Sequence, residues 1–241
     1  MSSSAARAES GDAIGAATLS RLAAAPRYNR WMFERLRPWL GDRVLEVGSG
    51  IGNLSEFLLD RSRVVLSDTD PGYLERLRQR FAGHAHVAVV ALRLPTFHAE
   101  LAREQFDTII CLNVLEHVRE DRLSLAALYR LLQPGGRLIL LVPALPTIYG
   151  TLDRALGHFR RYTPAELRTK YAEAGLRMRH LEYFNLAGIP GWWFAGRVLK
   201  RDLIPAASLR WFDALVPLFR LERLLPWRIG QSVIAIGERP M

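Results

Sequence analysis

At 241 residues the chain can bury one sizeable core, and 49% hydrophobic against 24% charged residues excludes wholesale disorder. The net charge of +9 is uneven: residues 1–150 carry 18 Arg against 16 acids, residues 151–241 carry 13 Arg and 2 Lys against 8 acids. A lone cysteine, Cys111, excludes an internal disulfide and sits in an apolar run as a buried thiol, so a reducing, cytoplasmic setting is the default.

Residues 1–12 read as a flexible tail without the apolar centre of a signal peptide, and Ile14 to Ala24 as a short helix. From Tyr28 to Leu40, Trp31, Met32, Leu36, Trp39 and Leu40 recur at helical spacing. Strand one is Arg43–Val47, followed by a helix over Asn53–Arg61 and strand two at Arg63–Ser67. Asp70-Pro71 opens the next helix as N-cap and first position. Strand three is His86–Leu92, and a short helix near Thr96–Arg103 leads to strand four, Phe106–Leu112. The unbroken apolar run of strand four suits a central parallel strand buried on both faces.

The helix Arg119–Leu132 ends at the turn Gln133-Pro134-Gly135-Gly136, and strand five is Arg137–Val142. A long loop, Pro143–Tyr162, precedes a helix opened by the capping box Thr163-Pro164-Ala165-Glu166. Strand six is Arg177–Phe184 and the last strand Ser232–Gly237. Between them lies an aromatic segment with Trp192, Trp193, Phe194, Trp211, Phe212, Phe219 and Trp227; its uncharged stretch Tyr183–Gly196, at 14 residues with Gly188, Pro190 and Gly191 inside, is too short and broken to span a bilayer. The alternation predicts an α/β, doubly wound, seven-stranded, mostly parallel sheet with extra N-terminal helices and a helical insertion before the last strand.

Four landmarks carry the chemistry. Glu46-Val47-Gly48-Ser49-Gly50-Ile51-Gly52 runs a strand into three glycines, where bare backbone approaches a ligand and a helix start favours an anion. Asp68 ends strand two, 20 residues beyond Gly48, at the spacing of an acid for a ribose diol. Asn113-Val114-Leu115-Glu116-His117-Val118 ends strand four, and Gln133-Pro134-Gly135-Gly136 precedes strand five. A nicotinamide-type Gly-x-Gly-x-x-Gly would place its third glycine at position 53, which is asparagine.

Across residues 28–185 these landmarks resemble the class I S-adenosylmethionine-dependent methyltransferases, in their small-molecule branch. The resemblance implies a Rossmann-like methyltransferase fold, S-adenosylmethionine as cofactor, and one domain over 13–241, with 28–185 as cofactor core and 186–230 as a helical substrate or lid insertion. It implies that Gly48, Ser49, Gly50 and Gly52 line the amino-acid end of the cofactor and that Glu46 orients the turn or meets the α-ammonium. Asp68 would take the ribose, beside Thr69; Leu92 would lie near adenine, and Asn113 at the strand-four end. Where the family often has an acid for adenine, this chain has Val90-Ala91-Leu92-Arg93. Tyr28 and Trp31 either close an N-terminal helix over the cofactor or pack that helix.

Methyl transfer needs a nucleophile held in line and often a base for its proton. His158 is the candidate base, imidazole being suited to accept a proton at neutral pH, with His117, Tyr149, Arg161, Tyr162 and Trp192 as substrate contacts. The alternative is that Asp153, His158 and Arg161 form a polar network that fixes the loop. Glu116-His117 partly resembles the metal-binding residues of ubiquinone-pathway O-methyltransferases, but Asn113 replaces the first acid and no further histidine is in sequence range, so no metal is assigned.

The expected activity is transfer of a methyl group to O, N or C of a small hydrophobic or aromatic metabolite. Rivals are a nucleic-acid or lipid methyltransferase and a non-catalytic interaction protein of the same fold. The basic half disfavours neither lipid nor solvent, whereas a base-methylating Asn-Pro-Pro-Tyr-type motif and an RNA-binding module are absent. Contact with a membrane surface and homo-oligomerisation stay open.

Overall fold

The computed structural model describes residues 14–203, 205–224 and 229–241. The expected tail over 1–12, Ile204 and Trp227 lie outside the described residues. Strand β1 (Arg43–Val47) pairs in parallel with β2 (Arg63–Asp68) and β4 (Phe106–Leu112). Outward from these, β3 (Val87–Ala91) joins β2, and β5 (Leu132–Pro143) joins β4, both in parallel. β7 (Ser232–Glu238) inserts antiparallel between β5 and β6 (Arg177–Phe184). The order is β3-β2-β1-β4-β5-β7-β6, a seven-stranded, mostly parallel sheet.

Period-two alternation sends the strands' side chains to two opposite layers. Leu45, Val47, Leu138, Leu140 and Val142 join the cluster that holds Leu125, Leu128 and Leu131 of α5 (Asp121–Leu131) and Leu167 and Tyr171 of α7 (Pro164–Glu173). Ile139, Leu141, Ile234 and Ile236 face Trp31, Met32 and Leu36 of α2 (Pro26–Leu36) and Val216 of α9 (Ala206–Phe219). Val44, Val64 and Leu66 meet Leu77 of α3 (Pro71–Arg80). Each of these buried aliphatic side chains contributes about 1.5–3 kcal/mol, which fixes strand register because a one-residue slip would expose the set. The remaining helices are α1 over 14–23, α4 (Ala99–Ala102), α6 (Thr151–Ala155) and α8 (Gly188–Trp193). No helix among the described residues is long and apolar enough to cross a membrane.

Two expected elements differ. The helix expected over Asn53–Arg61 is reduced to a 3-10 turn, Ser55–Leu58. The Ser55 hydroxyl bonds the Glu46 carboxylate at 2.5 Å and the Asn53 amide donates to Leu19 O at 3.1 Å, so both polar side chains are spent on tertiary bonds. With no full helix there, the anion-favouring dipole expected of it is lost, and backbone N–H groups of the turn are what remain. β5 starts earlier than expected. Gln133–Gly136 is absorbed as an irregularity between the Phe106–Leu132 and Thr108–Arg137 pairs, because Gly135 N–H donates to Arg239 O and Arg239 N–H to Gly136 O.

The strand order reverses between β1 and β4, so the connections that leave their carboxyl ends run in opposite directions. In such sheets the ligand crevice lies there.

Candidate active site

The glycine turn and the end of β4 meet across this crevice. Gly48 has φ +72°, and a Cβ there would stand 2.3 Å from Val114 Cγ2, so only glycine lets the two loops close on each other. Gly50 (φ +55°) donates its N–H to Asp68 Oδ2 at 2.8 Å, while Asp68 Oδ1 accepts from Thr69 N at 2.7 Å and Asp70 N at 3.1 Å. The half-buried Asp68 is thereby fixed at the mouth of the turn with lone pairs to spare. Thr69 beside it is exposed. Ser49 is buried, its hydroxyl on Glu46 O at 3.3 Å.

Glu46 lies beneath the turn, 5% exposed, its pKa pushed up to about 7 by burial, with the Ser55 and Ser49 hydroxyls pulling the other way. The reading in which it orients the turn matches these bonds.

Three of the expected cofactor contacts pack their side chains against other elements. Trp31 is 3% exposed and packs its ring 4.4 Å from Phe184, in the layer between α2 and the sheet. Tyr28 joins it, 5.9 Å from Phe184 and 6.0 Å from Phe212, with its N–H on Asp213 Oδ1 at 2.8 Å and burial pushing its phenol up to about 12. Both rings pack in the layer between α2, the sheet and α9. Leu92 keeps its N–H on Asp68 O at 3.1 Å, but its side chain is buried in the core cluster. What reaches the turn instead is α1: Leu19 lies 3.1 Å from where a Gly50 Cβ would stand. No sequence signal marked that contact. Two surface hollows, of about 230 and 250 Å³, lie beside Phe81–Val89 and between α1 and α9.

On the other side of the crevice, four donors converge on Asp153, which is fully buried. Its Oδ1 accepts from His158 Nδ1 at 3.0 Å and Arg161 Nε at 2.7 Å; its Oδ2 accepts from Gly150 N at 3.0 Å and Trp192 Nε1 at 3.1 Å. Burial alone would raise the Asp153 pKa, but these donors and the Arg161 charge outweigh it and hold the group below its ordinary value. An ionised Asp153 makes His158 Nδ1 the donor and leaves Nε2 as acceptor. The polar network weighed from the sequence is therefore present, and His158, 9% exposed, is oriented by it.

His158 faces the end of β4. Its ring meets that of the exposed His117 edge-on at 4.7 Å, and Phe159 N donates to Glu116 O at 2.8 Å. Glu116 is fully buried and neither carboxylate oxygen has a partner. Burial pushes its pKa up to about 7, against the pull of His158 and Arg161. Ligand atoms of Glu116, His117 and His158 lie within 4.8 Å of one another. Sequence spacing suggested no second histidine within reach; the β5–α7 loop brings one. Asn113, with φ +52°, is exposed beside this group and donates its N–H to Leu141 O at 2.8 Å.

Two of the expected substrate contacts are buried and bonded within the protein. Tyr162 is 1% exposed and its hydroxyl bonds Leu115 O at 3.2 Å and Asp121 Oδ2 at 3.1 Å, bolting the loop to the β4 end. Arg161 is 4% exposed, spends Nη1 on Ala144 O at 2.8 Å and lies 4.9 Å over the Trp192 ring, with Nη2 unpartnered. Trp192 is half-buried, and Tyr149 donates its hydroxyl to His158 O at 2.7 Å. Asp153 and Glu116 are the residues the sequence undervalued. Their weight comes from burial, which local pattern does not reveal.

A glycine turn at the end of β1, an acid at the end of β2 and the reversed strand order define a Rossmann-like methyltransferase. A family model described as a methyltransferase domain matches residues 45–138. Relatives include ubiquinone biosynthesis O-methyltransferases, from Pseudomonas aeruginosa at 31% identity over 171 residues and from Pseudomonas putida at 29%. Each match covers 63% of this chain and 71% of the relative. A methyltransferase from Mesorhizobium loti shares the fold at TM-score 0.62 and 15% identity, over 87% of this chain and 98% of that one. So does an N-methyltransferase from Bradyrhizobium japonicum in complex with S-adenosyl-L-homocysteine, at TM-score 0.56 and 16% identity, over 89% and 86%. The chain belongs to the class I S-adenosylmethionine-dependent methyltransferases.

Proposed function

We propose that this protein is a cytoplasmic enzyme that methylates a small hydrophobic or aromatic metabolite at the expense of S-adenosylmethionine, releasing S-adenosylhomocysteine, with a hydroxyl as the favoured acceptor over N or C. The O-methyltransferase relatives support the hydroxyl. The observation that carries the reading is the buried Asp153–His158 pair facing the glycine turn's partner loop, an oriented proton acceptor where the acceptor's proton must go.

The residues fit the cofactor: a Cβ at Gly48 would fill the gap to Val114, and Asp68 is held with spare acceptor capacity. When bound, the cofactor supplies an electrophilic methyl group on a sulfonium. The chain's own residues do the rest. Backbone at Gly48, Gly50 and Gly52 and the Asp68 carboxylate hold and orient it. His158 Nε2 takes the proton of the acceptor hydroxyl, and Asp153 stabilises the imidazolium that results. Tyr149, His117 and Trp192 border the acceptor's place.

The test uses labelled S-adenosylmethionine with a panel of phenols and a lipid extract. A methylated phenol is expected; label recovered only in RNA, protein or phospholipid would overturn the reading. Cofactor binding with no product from any acceptor would favour a non-catalytic role. His158→Ala should cost about 100-fold or more in single-turnover rate with cofactor affinity unchanged. Asp68→Ala should weaken cofactor binding about tenfold.

One observation favours a second reading of the same corner. Glu116, with two unpartnered buried oxygens, converges with His117 and His158, a carboxylate-plus-imidazole set that suits a first-row divalent ion. Asp153 on His158 Nδ1 is the support such a ligand has. Activity lost on chelation and restored by Zn²⁺ or Mn²⁺ would put His158 on a metal; activity indifferent to chelation keeps it as the base.

A further inference from the structure

The large apolar side chains left in solvent are concentrated in one part of the molecule. Trp211 is 74% exposed, Leu218 60%, Leu224 72%, and Leu215 and Leu221 nearly half. All five belong to α9 and the 3-10 turn Arg220–Leu224 that continues it. The spacing 211, 215, 218 is one helical stripe, and Ala207 and Ala214 extend it. The opposite stripe is also apolar: Val216 is buried in the sheet cluster, with Phe212 and Phe219 packed against it. A helix apolar on both sides, with only one side covered among the described residues, presents the other to a second apolar phase.

The charges say which phase. Both acids of residues 206–224 turn inward: Asp213 is 6% exposed and accepts the Tyr28 N–H, and Glu222 accepts the N–H groups of Asn185 and Leu186. The arginines stay outside, with Arg210 and Arg223 exposed near either end of the stripe and Arg220 paired to Glu34. Apolar side chains flanked by cations, with no outward acid, complement an anionic lipid surface. A twofold dimer through the same stripe would set arginine against arginine with nothing to offset them. The same insert exposes Trp193, Phe194, Val198 and Leu199 beside Arg197, Lys200 and Arg201, with Asp202 as an exposed acid at its end.

We propose that the outward face of α9 docks on the surface of an anionic bilayer, its apolar stripe entering the headgroup boundary and Arg210 and Arg223 meeting lipid phosphates. This is independent of the methyl-transfer reading, since docking needs neither cofactor nor acceptor.

The experiment is sedimentation of the full chain with vesicles of phosphatidylcholine, with and without phosphatidylglycerol. Binding to the anionic vesicles, weakened by salt, is expected. The double variant Leu215→Gln/Leu218→Gln should lower the partition constant tenfold or more, and Arg210→Gln or Arg223→Gln about fivefold each. Should the double variant fail to fold, quenching by brominated lipid that is lost in Trp211→Phe reads the same face with one conservative change. Absent binding, binding indifferent to these substitutions, or a concentration-dependent dimer abolished by them would overturn the proposal, the last in favour of self-association.

Discussion

The two sides of the crevice are built on different principles. At the β1–β2 side, the face proposed to hold the cofactor is made by backbone: positive-φ glycines and an aspartate tied to three N–H groups. At the β4–β5 side, the face proposed for the acceptor is made by side chains: Asp153 gathers His158, Arg161 and Trp192, and the buried Glu116 carboxylate has no hydrogen-bond partner among the described residues. Backbone sites tolerate most side-chain changes but few at glycine. Side-chain networks fail when one charged member is removed, because the others are left buried and unpaired.

The sharpest way to break this contrast is Asp153→Asn. The substitution leaves Arg161, whose side chain is fully buried, without its counter-ion, and should cost about 3–5 kcal/mol of stability by urea denaturation. It also frees the His158 tautomer, so turnover should fall further than the loss of folded protein explains. A near-neutral result would mean that the network is ornamental and that the two sides do not differ as stated.

Next in size is Gly48→Ala on the backbone side. Positive φ costs an L-residue about 1–2 kcal/mol, and the new Cβ would stand 2.3 Å from Val114 Cγ2, adding overpacking of similar size. A loss of about 2–4 kcal/mol is expected, with cofactor affinity reduced in parallel. Adding Val114→Ala should recover part of the stability and none of the φ strain, which separates the two causes by thermal melting.

The contrast also explains what the sequence made legible. The glycine turn, Asp68 and the strand ends are local signals, because a backbone site is written in consecutive residues; β4 and β6 begin and end where expected. The acceptor side joins residues 116, 153, 158, 161 and 192, which no period connects. Asp153 stands in the chain as one acid of a long loop, weighed there only as part of a polar network with His158 and Arg161, and its full burial is a tertiary fact. Trp31 is the converse case, for which the sequence left cofactor closure and helix packing both open. Its helical spacing was legible, but which layer the stripe faced depended on α9, nearly 200 residues on.

Buried carboxyls occur on both sides, and they sharpen the comparison through pH. Glu46 and Glu116 both have folded pKa values pushed up to about 7, above the ordinary 4.5. As pH rises from 4.5 to 7 the unfolded chain loses these protons first, so each group's contribution falls across that window and is gone above it. Glu46 has the Ser55 hydroxyl to support its charge; Glu116 has no partner. Glu116→Gln should therefore stabilise the fold at pH 8 by on the order of 1–3 kcal/mol relative to wild type, and far less at pH 5. Equal gains at both pH values would show that Glu116 does not titrate in this window.

The smallest effect tests the rim of the acceptor side. Tyr149 donates its hydroxyl to the carbonyl of His158 at 2.7 Å, so it holds the histidine's backbone while Asp153 holds its ring. Tyr149→Phe removes one neutral hydrogen bond from a half-buried position and should cost about 1 kcal/mol in urea denaturation. If the ring orientation is set by Asp153 alone, the single-turnover rate should change less than about threefold, with KM carrying most of any loss. A rate as low as that of His158→Ala would show that backbone, too, positions the proton acceptor. The acceptor side would then share the building principle of the cofactor side.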